Sequence, residues 1–423
     1  MRITKLIGFQ VLDSRGRPTV AASVTLADGS THIAKVPSGA STGKHEALEL
    51  RDFDSTHSEK YFSGNSVFNS VEKINTIIAP ELIDQQVDFI SVDGVLNSID
   101  PSENHYLLGA NTKLAVSLAS AKAQAHAQGS SLARMFCPNG KLLIPMPMVN
   151  ILSGGAHANR SMDIQDVLVV PVGASSFAQA LAWVVAIRET AARRGRNLGF
   201  TTHLVADEGG LGIPFQSISQ ACSFVESCIS DVGLTPGKDV SLALDFASTQ
   251  FFAEGRYNLV NEGKNLSPDE YLSFISELLQ SHSIVSVEDP FSEDDWSTWE
   301  KFSTSAPSNL QILGDDLFTT NNSRLQRGIE SHSANSILIK VNQNGLVSST
   351  QSVLKNAQEH HFSTVVSARS GETEDSWLAD LAVGWQAGQI KVGSTHGSER
   401  NAKWNRLLEL EITEDSLFSK PFA

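Results

Sequence analysis

The sequence predicts an α/β fold: a barrel of parallel strands, each covered by a helix, preceded by a mixed α+β region. Three observations carry this. Short apolar runs in the later part of the chain each end in a charged residue: "SLALD" at Asp245, "SIVSVED" with Glu288, "LQILGDD" with Asp315, "SILIK" at Lys340 and "TVVSAR" at Arg369. The intervals between these residues are 43, 27, 25 and 29, the length of a strand-plus-helix unit. Between the runs lie helix-like patterns such as "SPDEYLSFISELLQSH" and "LVSSTQSVLKNAQEH". A barrel of this kind carries its active site at the C-terminal strand ends, and here those ends hold two Asp, one Glu, one Lys and one Arg.

The first third reads as mixed. Residues 1–36 alternate in strand fashion around the turn "ADGS", and helical stretches follow near 66–80 and 111–136. "PNGKLLIPMPMVN", with three prolines and a glycine, reads as a connection into the second domain. The expected division is an α+β domain over 1–135 and a barrel over 140–423.

A chain of 423 residues fits two domains, and 41% hydrophobic residues suffice for a large core. The formal charge of −15 argues against nucleic acid or an anionic membrane as partner. An anionic substrate then needs local cations or a metal. Cys137, Cys222 and Cys228 have no metal-knuckle spacing and are expected to be free thiols in a reducing compartment. The N-terminus lacks a secretory signature and no run of about 20 apolar residues occurs, so a cytoplasmic protein without a membrane span is expected.

Asp245, Glu288 and Asp315 are hard oxygen donors at successive strand ends. Three converging carboxylates repel unless a cation offsets them, and an all-oxygen set completed by substrate and water suits Mg²⁺. Lys340 follows on the next strand; on residue type alone it reads equally as a base or as a counter-ion to the acids. In "VADEGG", Glu208 reads equally as a general acid with a raised pKa or as a solvated turn acid. "VPSGASTGKHEALELRD" is rich in small residues that allow close backbone approach to phosphate or metal, but "GASTGK" is not a Walker A loop.

At these residues the chain resembles enolase. The matching segments are "VLDSRGRPTV", "VPSGASTGKHEALELRD", "NILSGGAHA", "DEGG", "SLALD", "VSVEDPFSEDDW", "LGDDLFTTN", "SILIKVNQNG", "RSGETED" and "GQIKVGS", in family order over essentially the whole length. The resemblance implies an α+β N-terminal domain and an eight-stranded barrel whose start departs from strict βα alternation. It implies reversible loss of water from 2-phosphoglycerate to give phosphoenolpyruvate. Carried over by motif, Asp245, Glu288 and Asp315 hold a first Mg²⁺, and Ser41 helps hold a second as its loop closes over the phosphate. Lys340 removes the C2 proton and Glu208 protonates the departing 3-hydroxyl. Lys391 pairs with the substrate carboxylate, with Gln165 near it. Arg369 and Ser370 bind phosphate, and His157 sits on a mobile loop of the site. A homodimer or higher homo-oligomer is the family's usual assembly.

The chain departs from the family pattern at several points. Ala368 stands where the family has His before Arg-Ser-Gly. Asp166 replaces a Glu that works beside the general acid, and "LGIP" adds a residue after "DEGG". Gly397 replaces an Arg, and Ala21 and Glu409 occupy the positions of a dimer ion pair. The enediolate-forming residues are intact while the leaving-group side is altered. Three readings follow: an enolase in which His396, His157 or water replaces the lost imidazole; an enolase-like lyase with an altered substrate, resembling carboxyphosphonoenolpyruvate synthase; and a non-catalytic binding protein. On sequence alone, Ala368→His is expected to raise the dehydration rate.

Overall fold

The computed structural model describes residues 1–39, 43–53 and 62–422. Ser41 therefore lies outside the described residues. The N-terminal region opens with an antiparallel meander of β1 (Ile3–Leu12), β2 (Pro18–Leu26) and β3 (Thr31–Lys35). Five helices follow: α1 (Phe68–Lys73), α2 (Ala79–Leu82), α3 (Phe89–Ile99), α4 (Ala110–Ala127) and α5 (Leu132–Phe136). Helix α3, which the sequence reading did not mark, is capped by Asp88, whose carboxylate accepts the Ser91 N–H. Helix α4 has almost no polar face, because it packs on β2 and β3 on one side and on the barrel's helices on the other. Its run of Ala and Ser permits that double contact.

The chain then forms β4 (Leu142–Ile144), β5 (Met146–Ser153) and β6 (Asp166–Val170), helices α6 (Phe177–Asn197) and α7 (Ile218–Asp231), and β7 (Ser241–Asp245). A small antiparallel sheet of β8 (Phe252–Ala253), β9 (Arg256–Leu259) and β10 (Lys264–Leu266) precedes α8 (Pro268–Ser281). Regular alternation follows: β11 (Ile284–Glu288), α9 (Trp296–Ser305), β12 (Gln311–Gly314), α10 (Asn322–Ser331), β13 (Ser336–Ile339), α11 (Val341–Asn344), α12 (Val347–Glu359), β14 (Ser363–Ser367), α13 (Trp377–Gly384), β15 (Gln389–Gly393) and α14 (Ser398–Thr413). The last strand, β16 (Ser416–Phe418), pairs with β4.

Eight of these strands close a barrel in the order β5-β6-β7-β11-β12-β13-β14-β15. All neighbours are parallel except β6, which runs antiparallel to both β5 and β7. The start of the barrel thus departs from βα alternation as the resemblance implied. The proline-rich stretch read as a connection into the second domain leads into the barrel, and most of it is itself β4 and the start of the first barrel strand. Met146 donates its N–H to Gly388 O on the β15 side, so the amide of Pro147 faces the other way, where pairing with β6 begins only at Val149. The missing N–H costs no ladder bond there.

Period two sorts each strand into inward and outward positions. Met146, Met148, Leu168, Val170, Ala243, Leu313, Leu338 and Val365 form the apolar filling of the barrel. Two residues beyond Ala243, Leu313 and Leu338 on the same inward face come Asp245, Asp315 and Lys340. The apolar layer therefore floors a charged one. Among the described residues no helix is long and apolar enough to cross a membrane, and Cys137, Cys222 and Cys228 are free thiols.

Candidate active site

The barrel's C-terminal end gathers its charges in pairs. Lys391 Nζ lies 2.7 Å from both Asp245 Oδ2 and Glu288 Oε2. Lys340 Nζ donates to Asp315 Oδ2, and Gln343 Nε2 donates to Asp315 Oδ1 at 3.2 Å. All five charged groups are buried or nearly so. Burial disfavours both ammonium groups, but the carboxylates outweigh it: Asp315 holds Lys340 above the usual lysine value, and Asp245 and Glu288 hold Lys391 well above it. Burial and the adjacent Asp245 push Glu288 well above the usual glutamate range.

This set fits a divalent cation. Three buried carboxylates face two ammonium groups, leaving one negative charge unmatched. Glu288 Oε1 is buried with no hydrogen-bond partner, while Oε2 is held by Lys391. Only oxygen donors converge, as a hard ion such as Mg²⁺ requires. Asp289, Asp315 and Asp316 also present ligand atoms within 4.8 Å of one another. The Asp289 carboxylate, however, is committed to the backbone N–H groups of Asp315 at 2.9 Å and Asp316 at 2.7 Å. It shapes the turn after β12. Asp316 is pushed up to about 8, by burial first and then by Asp315.

The side around Arg369 and Ser370 is assembled from both ends of the chain. Ser38 and Gly371 exchange two backbone hydrogen bonds, at 2.8 and 2.9 Å. A Cβ on Gly371 would meet Asp13 Oδ2 at 2.3 Å and Ser38 O at 2.6 Å, so the contact needs glycine. Arg15, held by Asp13, reaches Ser38 O at 3.1 Å and Ser370 Oγ at 3.5 Å. Arg369 pairs with Glu46 at 2.9 Å and donates to Asn342 Oδ1 at 3.0 Å. The three acids after Arg369-Ser370 point elsewhere: Glu372 pairs with Lys403, Glu374 accepts from Ser398, and Asp375 pairs with Lys122. They lock the segment in place rather than line the site.

The third side lies on the β5–β6 hairpin. His157 Nδ1 is 3.3 Å from Asp166 Oδ2, and its Nε2 is 3.7 Å from Glu208 Oε1. Asp166 Oδ1 accepts from Ser153 Oγ at 2.6 Å, and Glu208 Oε2 accepts from Asn150 Nδ2 at 3.2 Å. Burial pushes His157 down, but Glu208 and Asp166 outweigh it and hold the imidazolium up to about 9. The raised pKa anticipated for Glu208 does not occur in this arrangement. Burial raises it, yet His157, Arg400, Lys391 and Lys340 together bring it below the usual range. Both shifts favour the proton on the imidazole over the Glu208 carboxyl. Gln165 donates to Asp245 Oδ2 at 3.0 Å and is itself held by Gln250.

A cavity of about 20 Å³ joins these sides, lined by His157, Gln165, Glu208, Lys340, Ser367, Ala368, Arg369, Ser370 and Lys391. Seven of these were singled out from the sequence as site residues. A larger cleft of about 770 Å³ opens between residues 44–47 and 319–324; apart from Glu46 and Gln343 on its wall it holds none of these charged pairs. Ala368 presents its methyl to the small cavity and donates its N–H to Lys391 O at 2.9 Å. His396 is exposed and does not line the cavity, so it does not stand in for a ring at position 368; His157 does line it. Gly397 has φ +94, and a Cβ there would meet the Glu399 carboxylate at 2.6 Å, which accounts for glycine at that position. Sequence reasoning assigned no role to Glu46, Asn150, Ser153, Asp289 or Arg400. Glu46, Asn150, Ser153 and Asp289 lay inside quoted motifs and Arg400 three residues beyond Gly397, with no local signal that set them apart.

An eight-stranded barrel with buried carboxylates, lysines and an arginine at its C-terminal end defines an α/β-barrel protein with a densely charged barrel mouth. The family model for the enolase N-terminal domain matches residues 3–136, and that for the enolase C-terminal TIM barrel domain matches residues 141–420. The chain belongs to the enolase family.

Proposed function

We propose that the protein is a lyase that reversibly removes water from 2-phosphoglycerate to give phosphoenolpyruvate. The observation that carries this reading is the single small cavity walled by Lys340, Lys391, Glu208, His157, Arg369 and Ser370, next to three buried carboxylates. Asp245, Glu288 and Asp315 would hold Mg²⁺, which when bound supplies the positive charge an α-carboxylate carbon acid needs in order to ionise. A second Mg²⁺ would involve Ser41, outside the described residues.

The chain's own groups divide the remaining work. Lys391 pairs with the substrate carboxylate, with Gln165 beside it, and Arg369 and Ser370 grip the phosphate. Lys340 Nζ takes the C2 proton. Its contact with Asp315 keeps it protonated at rest, so Asp315 must give up that contact first. The C2–H electron pair becomes the C2–C3 double bond as the C3–O bond breaks. The hydroxyl leaves as water, taking a proton from the Glu208–His157 pair; Asp166 and Ser153 keep the imidazole turned toward Glu208. The phosphate stays on the C2 oxygen throughout.

The test is direct absorbance detection of phosphoenolpyruvate from 2-phosphoglycerate with excess Mg²⁺. No product at high enzyme concentration would rule the reading out. A second reading, an enolase-like lyase acting on a related phosphorylated or phosphonate acid, is favoured by one observation: Ala368 on the cavity wall and Asp166 beside His157 both depart from the family pattern. Mg²⁺-dependent thermal stabilisation without dehydration would select it, and no response to Mg²⁺ would leave a binding protein. A small anionic partner, the absence of nucleic acid, a cytoplasmic location and a homodimer or higher oligomer belong to the same proposal. Ala21 is fully buried within its own sheet and Glu409 pairs with Arg406, so any subunit contact here would use other residues.

A further inference from the structure

Helix α14 sends two fully buried cations toward the barrel mouth, Arg400 and Lys403. They are bound differently. Lys403 has a carboxylate, Glu372 Oε2 at 2.8 Å. The Arg400 guanidinium is spent on carbonyl oxygens. Nη1 donates to Arg369 O at 2.6 Å and Val392 O at 3.0 Å; Nη2 donates to Ser370 O at 2.6 Å and Asp207 O at 3.2 Å. Glu399 approaches its Nε at 3.3 Å, but that nitrogen makes no hydrogen bond. A buried charge held mainly by neutral acceptors is costly, and a neutral side chain would fill the volume more cheaply.

The four carbonyls belong to three separate segments of the chain, which the Arg400 side chain joins. Asp207 precedes Glu208. Arg369 and Ser370 line the cavity, and Val392 follows Lys391 on β15. A planar guanidinium with fixed donor directions sets the spacing among them, which a flexible ammonium would not. Because the peptides are trans, holding the Arg369 carbonyl turns the Ser370 N–H to the opposite side. Ser394 N–H to Glu208 O at 2.8 Å ties the same strand end to the same turn. Arg400 itself does not line the cavity.

We propose that Arg400 is a positioning residue: its guanidinium fixes the distance between the phosphate grip, Arg369–Ser370, and the leaving-group acid, Glu208. This rests on the lyase reading above. With the grip and the acid on separate segments, a shift of about 1 Å in either costs roughly 100-fold in rate.

The test compares wild type with Arg400→Lys and Arg400→Ala in 2-phosphoglycerate dehydration at saturating Mg²⁺. For both variants kcat is expected to fall by about 10- to 100-fold, and KM to rise by about 10-fold because the phosphate grip moves. Millimolar guanidinium should restore part of the Arg400→Ala rate and leave wild type unchanged. A merely structural role would lower the folded fraction, leave KM alone and give no rescue; that result overturns the proposal. If Arg400→Ala does not fold, Arg400→Lys decides on the same KM criterion. If wild type does not turn over 2-phosphoglycerate, the lyase reading fails separately, and binding of inorganic phosphate followed by ³¹P NMR tests Arg400. Weaker binding by the variants supports the proposal; equal binding, or no binding by wild type, overturns it.

Discussion

The two sides of the barrel mouth are built on opposite plans. On the β7, β11, β12, β13 and β15 side, Lys391 is shared by Asp245 and Glu288, Lys340 pairs with Asp315 from the neighbouring strand end, and Glu288 still has an unpaired oxygen. On the β5–β6 side, one imidazolium sits between two carboxylates, and Ser153 and Asn150 close off further valences. Each side has one carboxylate more than it has cations. The first leaves Glu288 Oε1 without a partner and open to a cation, whereas on the second neutral donors close the remaining oxygens. The departures from the family pattern fall on both sides: Ala368 follows β14, between β13 and β15, and Asp166 begins β6. The difference teaches that excess negative charge at one barrel mouth can be left on an open oxygen or closed off by neutral donors.

The largest expected effect breaks the first side. Lys340→Ala should lower kcat by about 10³-fold or more, within the span of general acid–base contributions, with little change in Mg²⁺-induced thermal stabilisation. Equal loss of both would mean that Lys340 serves only as a counter-ion. Glu288→Gln should do the reverse in binding: Mg²⁺ should no longer raise Tm, as read by calorimetry with and without the ion.

On the second side, His157→Gln should reduce kcat by about 100-fold. If the proton resides on the imidazole, Glu208→Gln should cost a similar factor, and the double variant little more, because the two act as one unit. Additive losses in that cycle would separate them.

The pH dependence of stability sharpens the same contrast. His157 is raised from its ordinary value of 6.5 to about 9 in the fold. Its stabilisation is fully present below about 6.5 and is lost as pH rises through about 9, by up to about 3 kcal/mol. Urea unfolding across that range should show stability falling with pH, and His157→Gln should flatten the slope.

The smallest effects come from restoring the family residues. Ala368 is 5% exposed and borders a cavity of about 20 Å³. An imidazole there presses on buried neighbours and is expected to cost about 1–3 kcal/mol of stability. Ala368→His should therefore lower Tm, and the dehydration assay decides whether the rate rises, as the sequence reading expects. Asp166→Glu pushes an extra methylene against Ser153 and should cost about 1 kcal/mol, part of it recovered in Asp166→Glu with Ser153→Ala. An unchanged or lower rate in Ala368→His would show that the site has been rebuilt around Ala368.

Much of the fold and part of the site were legible in the sequence. Period two along "SLALD" and "SILIK" puts Asp245 and Lys340 on the same face as Ala243 and Leu338, so charged strand ends above an apolar floor could be read directly. In the proline-rich 138–150 stretch, only the register of β5 against β15 reveals that a barrel strand begins there and which face of Pro147 needs no amide. The partners of the acids in "RSGETED" were not legible: Glu372, Glu374 and Asp375 are each drawn to a different one.

The sequence by itself determined which charges stand at the barrel mouth and on which strand, since alternation and spacing are local properties of the chain. Only the tertiary structure decided how those charges pair. Lys391 lies between two acids 146 and 103 residues away, and Glu208 is held low because His157 and Arg400 are folded against it. Burial turns an apparently solvated cation on α14 into a fixed point of the site, and a pairing that spans the chain cannot be read from any stretch of it.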